Sequence, residues 1–166
     1  MTVFSLGWGT RALGYSREQF LILQMVGVIF FGLTIPIAAL LSDKYGMRPV
    51  MIVVTVLIGL YGFIMAPLFL SGTAGVLAFL IIGFGLMGLT YGPIGAALAE
   101  PFPTSVRYTG ASLTFNLAGI LGASVAPYIA TWLATHYSFD YVGYYMSAAA
   151  VVSLIGFAFI SFKRDE

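Results

Sequence analysis

Five residues in two short polar stretches carry the chain's most reactive chemistry: Asp43, Gly46 and Arg48 in Leu41–Pro49, and Glu100 and Arg107 in Glu100–Gly110. A carboxylate at Asp43 accepts hydrogen bonds from the free amides that begin a neighbouring helix, and the helix dipole adds to the attraction. Gly46 permits a tight turn, and Arg48 is placed to bridge to Glu100, with Arg107 as the competing cation. These groups suit a switchable contact between loops. Metal binding and thiol chemistry lack their residues, because the chain has no cysteine and a single histidine, His136. Catalysis would need convergent acids and bases, and the charges stand only in loops and termini, which leaves a membrane enzyme as a remote alternative.

The elements that must position these residues are membrane-spanning. With 60% hydrophobic and 8% charged residues, the chain has too little polar surface to coat a water-soluble domain. Seven Lys and Arg scattered between apolar runs form no basic stripe, so nucleic acid is not a partner and the lipid bilayer is. Charge-free runs of about 20 residues or more predict five helices across the bilayer, at residues 19–41, 49–70, 74–98, 108–133 and 141–162. The run from Pro49 to Ala99 is twice the length one crossing needs, and Ser71, Gly72 and Thr73 supply a turn near its middle. Residues 1–13 begin with an apolar stretch too short to cross and without the basic start of a signal peptide, and they read as the end of a truncated helix.

Five crossings put the loops carrying Lys44, Arg48 and Arg107 on the same side as the C-terminal Lys163 and Arg164, against Arg11 and Arg17 opposite. The excess of positive charge marks the first side as cytoplasmic, C-terminus included, and Tyr137, Tyr141, Tyr144 and Tyr145 then form an aromatic belt at the other. Gly88 and Gly92 are spaced for close helix packing, as are Gly119 and Ala123, while Pro36, Pro93 and Pro127 are expected to kink their helices. No Asp, Glu, Lys, Arg or His falls inside a predicted crossing, so a proton relay must use groups outside this chain. Gln24 and Asn116 are amides in hydrocarbon, costly unless they face a partner or a cavity. With Tyr91 they are the candidates for a substrate cavity; an interhelical hydrogen bond is the structural alternative.

Asp43 to Pro49 resembles the loop signature G-x-x-x-D-[RK]-x-G-R-[RK]-P of the major facilitator superfamily, with Ala39 in place of Gly and Met47 in place of the first Arg. Tyr91, Gly92 and Pro93 followed by Glu100 to Gly110 resemble the segment Y-G-P…A-E-L-F-P-T-x-V-R-Y-T-G-x-S of its metabolite:proton symporters, relatives of the shikimate, 2-oxoglutarate and proline/betaine transporters, with Pro101 in place of Leu. The resemblance implies an all-α integral membrane fold, the C-terminal six-helix half of a twelve-helix carrier with its first helix truncated, so that the crossings are helices eight to twelve. It implies alternating-access symport of a small organic acid or zwitterion with protons across a bacterial inner membrane, with neither cofactor nor metal. The N-terminal half, absent from this chain, would supply the helix N-terminus for Asp43. A half-transporter or regulatory membrane subunit is the alternative reading.

Overall fold

Ser16 opens the first long helix through a reciprocal cap: its hydroxyl accepts from the Gln19 amide at 3.1 Å, and the Gln19 side chain accepts from the Ser16 amide at 3.3 Å. The computed structural model describes residues 2–159, leaving aside the side chains of Leu121 and Ala123. Helix α1 is Thr2–Arg11, α2 Arg17–Tyr45, α3 Met47–Leu70, α4 Gly72–Ala99, α5 Arg107–Gly119, α6 Ala126–His136 and α7 Phe139–Phe159, with a π-helical segment, Ile120–Val125, between α5 and α6. Residues 160–162 of the last expected crossing, and Lys163 and Arg164, lie outside the described residues.

The helices outrun the charge-free stretches. Helix α2 has 29 residues, about 44 Å at 1.5 Å per residue, against roughly 30 Å of hydrocarbon. Its last turn therefore emerges from the lipid while still helical, and it includes Asp43 and Lys44. Asp43 is thus within the helix rather than beyond its end, as expected from its charge. The stop comes at Gly46, whose φ of +88° breaks the helix and lets α3 begin at Met47. The turn between α3 and α4 is equally short: the Ser71 amide and hydroxyl both donate to the Leu68 carbonyl, and Gly72 has φ of +80°.

One expected crossing is divided. From Arg107 to His136 the chain stays helical, but Ile120–Val125 is wound as a π-helix just ahead of Pro127. Proline has no N–H for the carbonyl four residues back and its ring crowds that carbonyl, which accounts for the wider winding of the preceding turn.

Packing concentrates in three helix pairs. Helix α2 lies against α4, and α3 against both α7 and α4. Glycines set these distances. A side chain at Gly92 would come within 2.7 Å of the Ile35 carbonyl oxygen, and one at Gly88 would overlap Thr34 Oγ1. Gly62 of α3 and Gly143 of α7 bring their backbones together, and Ser147 Oγ donates to the Gly59 carbonyl at 2.8 Å across the same seam. Gly119, by contrast, has none of the described residues within 4 Å of the place a Cβ would take. At the end of the bundle near α1, Phe20, Phe69 and Phe79 are fully buried, with Phe69 stacked on Phe139 at 4.8 Å and edge-on to Phe79 at 4.7 Å. Trp8 of α1 joins this aromatic core at 6.1 Å from Phe139.

Candidate functional site

At the opposite end, the turn between α2 and α3 and the loop between α4 and α5 surround an open cavity of about 1750 Å³. Asp43, Gly46 and Arg48 line it from one side, and Glu100 and Arg107 from the other, so both charged stretches share one site. Gly92 and Pro93 of α4 form its floor together with Ala39 of α2. Two guanidinium groups and two carboxylates face a common wet space with no net charge. Such an arrangement stabilises whichever pairings a given conformation permits, each modestly, because exposed ion pairs are worth only about 0–1 kcal/mol.

The pairings differ from those expected. Arg48 Nη2 donates to the carbonyl of Phe157 in α7 at 3.2 Å, and not to Glu100. The guanidinium therefore ties the first turn of α3 to the last described turn of α7. Arg107 Nε donates to the Phe102 carbonyl at 3.2 Å, and the Phe102 ring seats on Gly110. Loop and α5 are joined by these contacts. Ser42 Oγ, also on the cavity wall, is buried and has no hydrogen-bond partner among the described residues.

The three candidates for a substrate cavity do not converge. Gln24 is buried, and its Nε2 donates to the Thr2 carbonyl at 2.9 Å and to Ser5 Oγ at 3.3 Å. It is the tether that holds α1 to α2. Tyr91 is exposed beside Phe31, the two rings edge to face at 5.3 Å. Asn116 donates to the Ser112 carbonyl one turn back at 2.8 Å, on a helix that buries none of its residues. Replacing Gln24 by leucine should loosen α1 by about 1 kcal/mol, the net worth of a buried hydrogen bond. Limited proteolysis should then cut ahead of Arg17 faster than in the parent, while an apparent substrate affinity should stay unchanged.

The model of the Major Facilitator Superfamily matches residues 1–166. The chain belongs to this superfamily. Among curated relatives, the inner membrane metabolite transport protein YhjE of Escherichia coli (strain K12) is 51% identical over 161 residues, covering 93% of this chain and 37% of that protein. The shikimate transporter of the same organism is 30% identical, covering 92% of this chain and 36% of its own length. The citrate-proton symporter of Klebsiella pneumoniae is 30% identical, covering 96% and 37% respectively. The major facilitator chain described here thus spans little more than a third of the length of these relatives. No solved structure matches it.

Four helices among the described residues, α2, α3, α4 and α7, are long and apolar enough to cross a bilayer, and the chain is an integral membrane protein of this transporter superfamily. All charged residues of these helices stand in first or last turns: Arg17, Glu18, Asp43 and Lys44 in α2, Arg48 in α3 and Asp140 in α7. Sequence reasoning singled out Arg48 but missed its partner, because a backbone carbonyl in another helix has no signature in the sequence.

Proposed function

We propose that this chain forms the C-terminal half of a secondary active carrier that moves a small polar metabolite, an organic acid or a zwitterion, across a bacterial inner membrane with protons. In that reading α1 is the end of helix seven, α2 to α4 are helices eight to ten, α5 to α6 helix eleven and α7 helix twelve. The observation that carries it is the convergence of Asp43, Gly46, Arg48, Glu100 and Arg107 on one cavity at one end of the bundle. The names of the relatives support the substrate class, since shikimate and citrate are small carboxylates and one of those relatives is named a proton symporter.

The cavity end faces the cytoplasm by the distribution of Lys44, Arg48 and Arg107, and the C-terminus with it. An N-terminal half completes the site and supplies the protonatable group, for which the membrane-spanning interiors described above provide none. Alternating access then moves one half against the other about a midplane substrate site. The test is uptake of radiolabelled shikimate, citrate, proline and glycine betaine by cells expressing the full-length protein, with and without a protonophore. Uptake of at least one compound, abolished by the protonophore, is expected. Uptake of none above the empty-vector level would remove the substrate class, and protonophore-insensitive uptake would remove the coupling.

A further inference from the structure

We infer that α1 is locked to the rest of this half throughout the transport cycle, as a fixed edge against which the other half moves at the end of the bundle opposite the charged cavity. The role in transport rests on the function proposed above. The lock itself rests on contacts made within the chain.

Helix α1 is held at its start, along its middle and just past its end by different elements. At the start, Gln24 Nε2 of α2 donates to the Thr2 carbonyl and to Ser5 Oγ, and Ser5 is fully buried. Along the middle, Phe4 and Trp8 lie 5.5 Å and 6.1 Å from the Phe139 ring of α7, and the Phe20 ring of α2 seats against Gly9, where a side chain would overlap it. Past the end, the Tyr15 hydroxyl shares a hydrogen bond of 3.0 Å with Thr73 Oγ1 in the first turn of α4, and its ring meets Phe20 edge-on at 6.0 Å.

The return from α1 to α2 adds no slack. Only residues 12–16 separate the two helices, the Ala12 amide donates to the Trp8 carbonyl at 2.8 Å and the Tyr15 amide to the Gly9 carbonyl at 3.2 Å, and Gly14 takes the φ of +72° that the turn requires. Moving α1 alone would strip Gln24, an amide in an apolar run, of its partners and break the ring contacts of Phe4 and Trp8 with Phe139. Releasing it from one of α2, α4 and α7 leaves it held by the other two, so α1 moves only with them. The ties are hydrogen bonds between neutral groups and ring contacts, so proton transfer elsewhere in the carrier does not release them directly.

Cross-linking tests the lock during transport. In the full-length protein on a cysteine-free background, Tyr15→Cys with Thr73→Cys is joined by a short bis-methanethiosulfonate linker, and uptake of a compound the parent transports should stay within about twofold of the unlinked variant. Loss of uptake on linking, restored by a thiol reductant, would overturn the lock. Spin labels at Arg11→Cys in α1 and Asp140→Cys in α7, both exposed and outside the ties, read it without any substrate. In nanodiscs they should give one narrow distance at acid and at alkaline pH. Trp8→Ala with Tyr15→Phe should widen that distribution roughly twofold, and Tyr15→Phe alone keeps the comparison if the pair does not fold. A second distance in the parent, or an unchanged width in the loosened variant, would overturn the lock. One narrow distance that the loosened variant widens, in a protein that takes up none of the labelled compounds, would support the lock and count against the carrier.

Discussion

Gly143→Leu is expected to part α3 from α7 and lower the thermal unfolding midpoint in detergent by roughly 5–10 °C, whereas Gly156→Leu on the same helix leaves it unchanged. A Cβ at Gly143 would overlap the carbonyl oxygen of Gly62, and one at Gly62 would overlap Ser147 and come within 2.6 Å of the Gly143 carbonyl oxygen. The obstacle at Gly143 is backbone and not the movable end of a side chain. The helices must separate, and the bond from Ser147 Oγ to the Gly59 carbonyl is lost with the contact. In lipid this matters more than in water, since apolar side chains gain little by leaving lipid for each other and close packing carries the association. Overpacking of this kind costs about 3 kcal/mol. Gly156 has no atom within 4 Å of its Cβ position, so the same substitution there adds only lipid-facing surface. Fluorescence-detected size exclusion after heating checks both variants in one experiment.

Arg48→Glu is expected to reduce uptake by more than tenfold at unchanged membrane abundance. Two effects combine. The variant removes the donor to the Phe157 carbonyl and puts a carboxylate, itself an acceptor, beside that carbonyl oxygen. It also leaves three acids and one arginine around a cavity that held two of each. A hydrogen bond to a charged group is worth about 1.5–3 kcal/mol, and the repulsion of like charges across a wet cavity adds about 1 kcal/mol. Adding Glu100→Arg restores the charge balance but not the tie to Phe157, so uptake should recover only in part. Full recovery would mean that a direct Arg48–Glu100 pair dominates; the expected intermediate level separates the two contributions.

The helices were legible because the bilayer imposes a length on any charge-free run, and the turns at Gly46 and Ser71–Gly72 were legible because few other residues make such turns. Helix ends were less so. Asp43 and Lys44 read as loop by charge, yet a 29-residue helix outlasts the hydrocarbon and carries them in its last turn. Pro127 signalled an irregularity in the span after Arg107, but whether a proline yields a kink or a π turn depends on what the flanking turns touch, and α5 touches little. At the site, the loop signatures picked out four charged residues and Gly46, and the fold places all five around one cavity. Gln24 shows the opposite case: an amide in an apolar run must find a partner, but the sequence does not reveal that the partners are Thr2 and Ser5 of the short first helix.

The central claim is that the protein is a carrier, binding substrate alternately from each side, and counterflow tests it most directly. Proteoliposomes of the full-length protein, loaded with the unlabelled compound that cells take up and diluted into a trace of its labelled form without any ion gradient, should accumulate label transiently above equilibrium and then lose it. A monotonic approach to equilibrium, with no overshoot at any internal concentration, would contradict alternating access and with it the carrier reading.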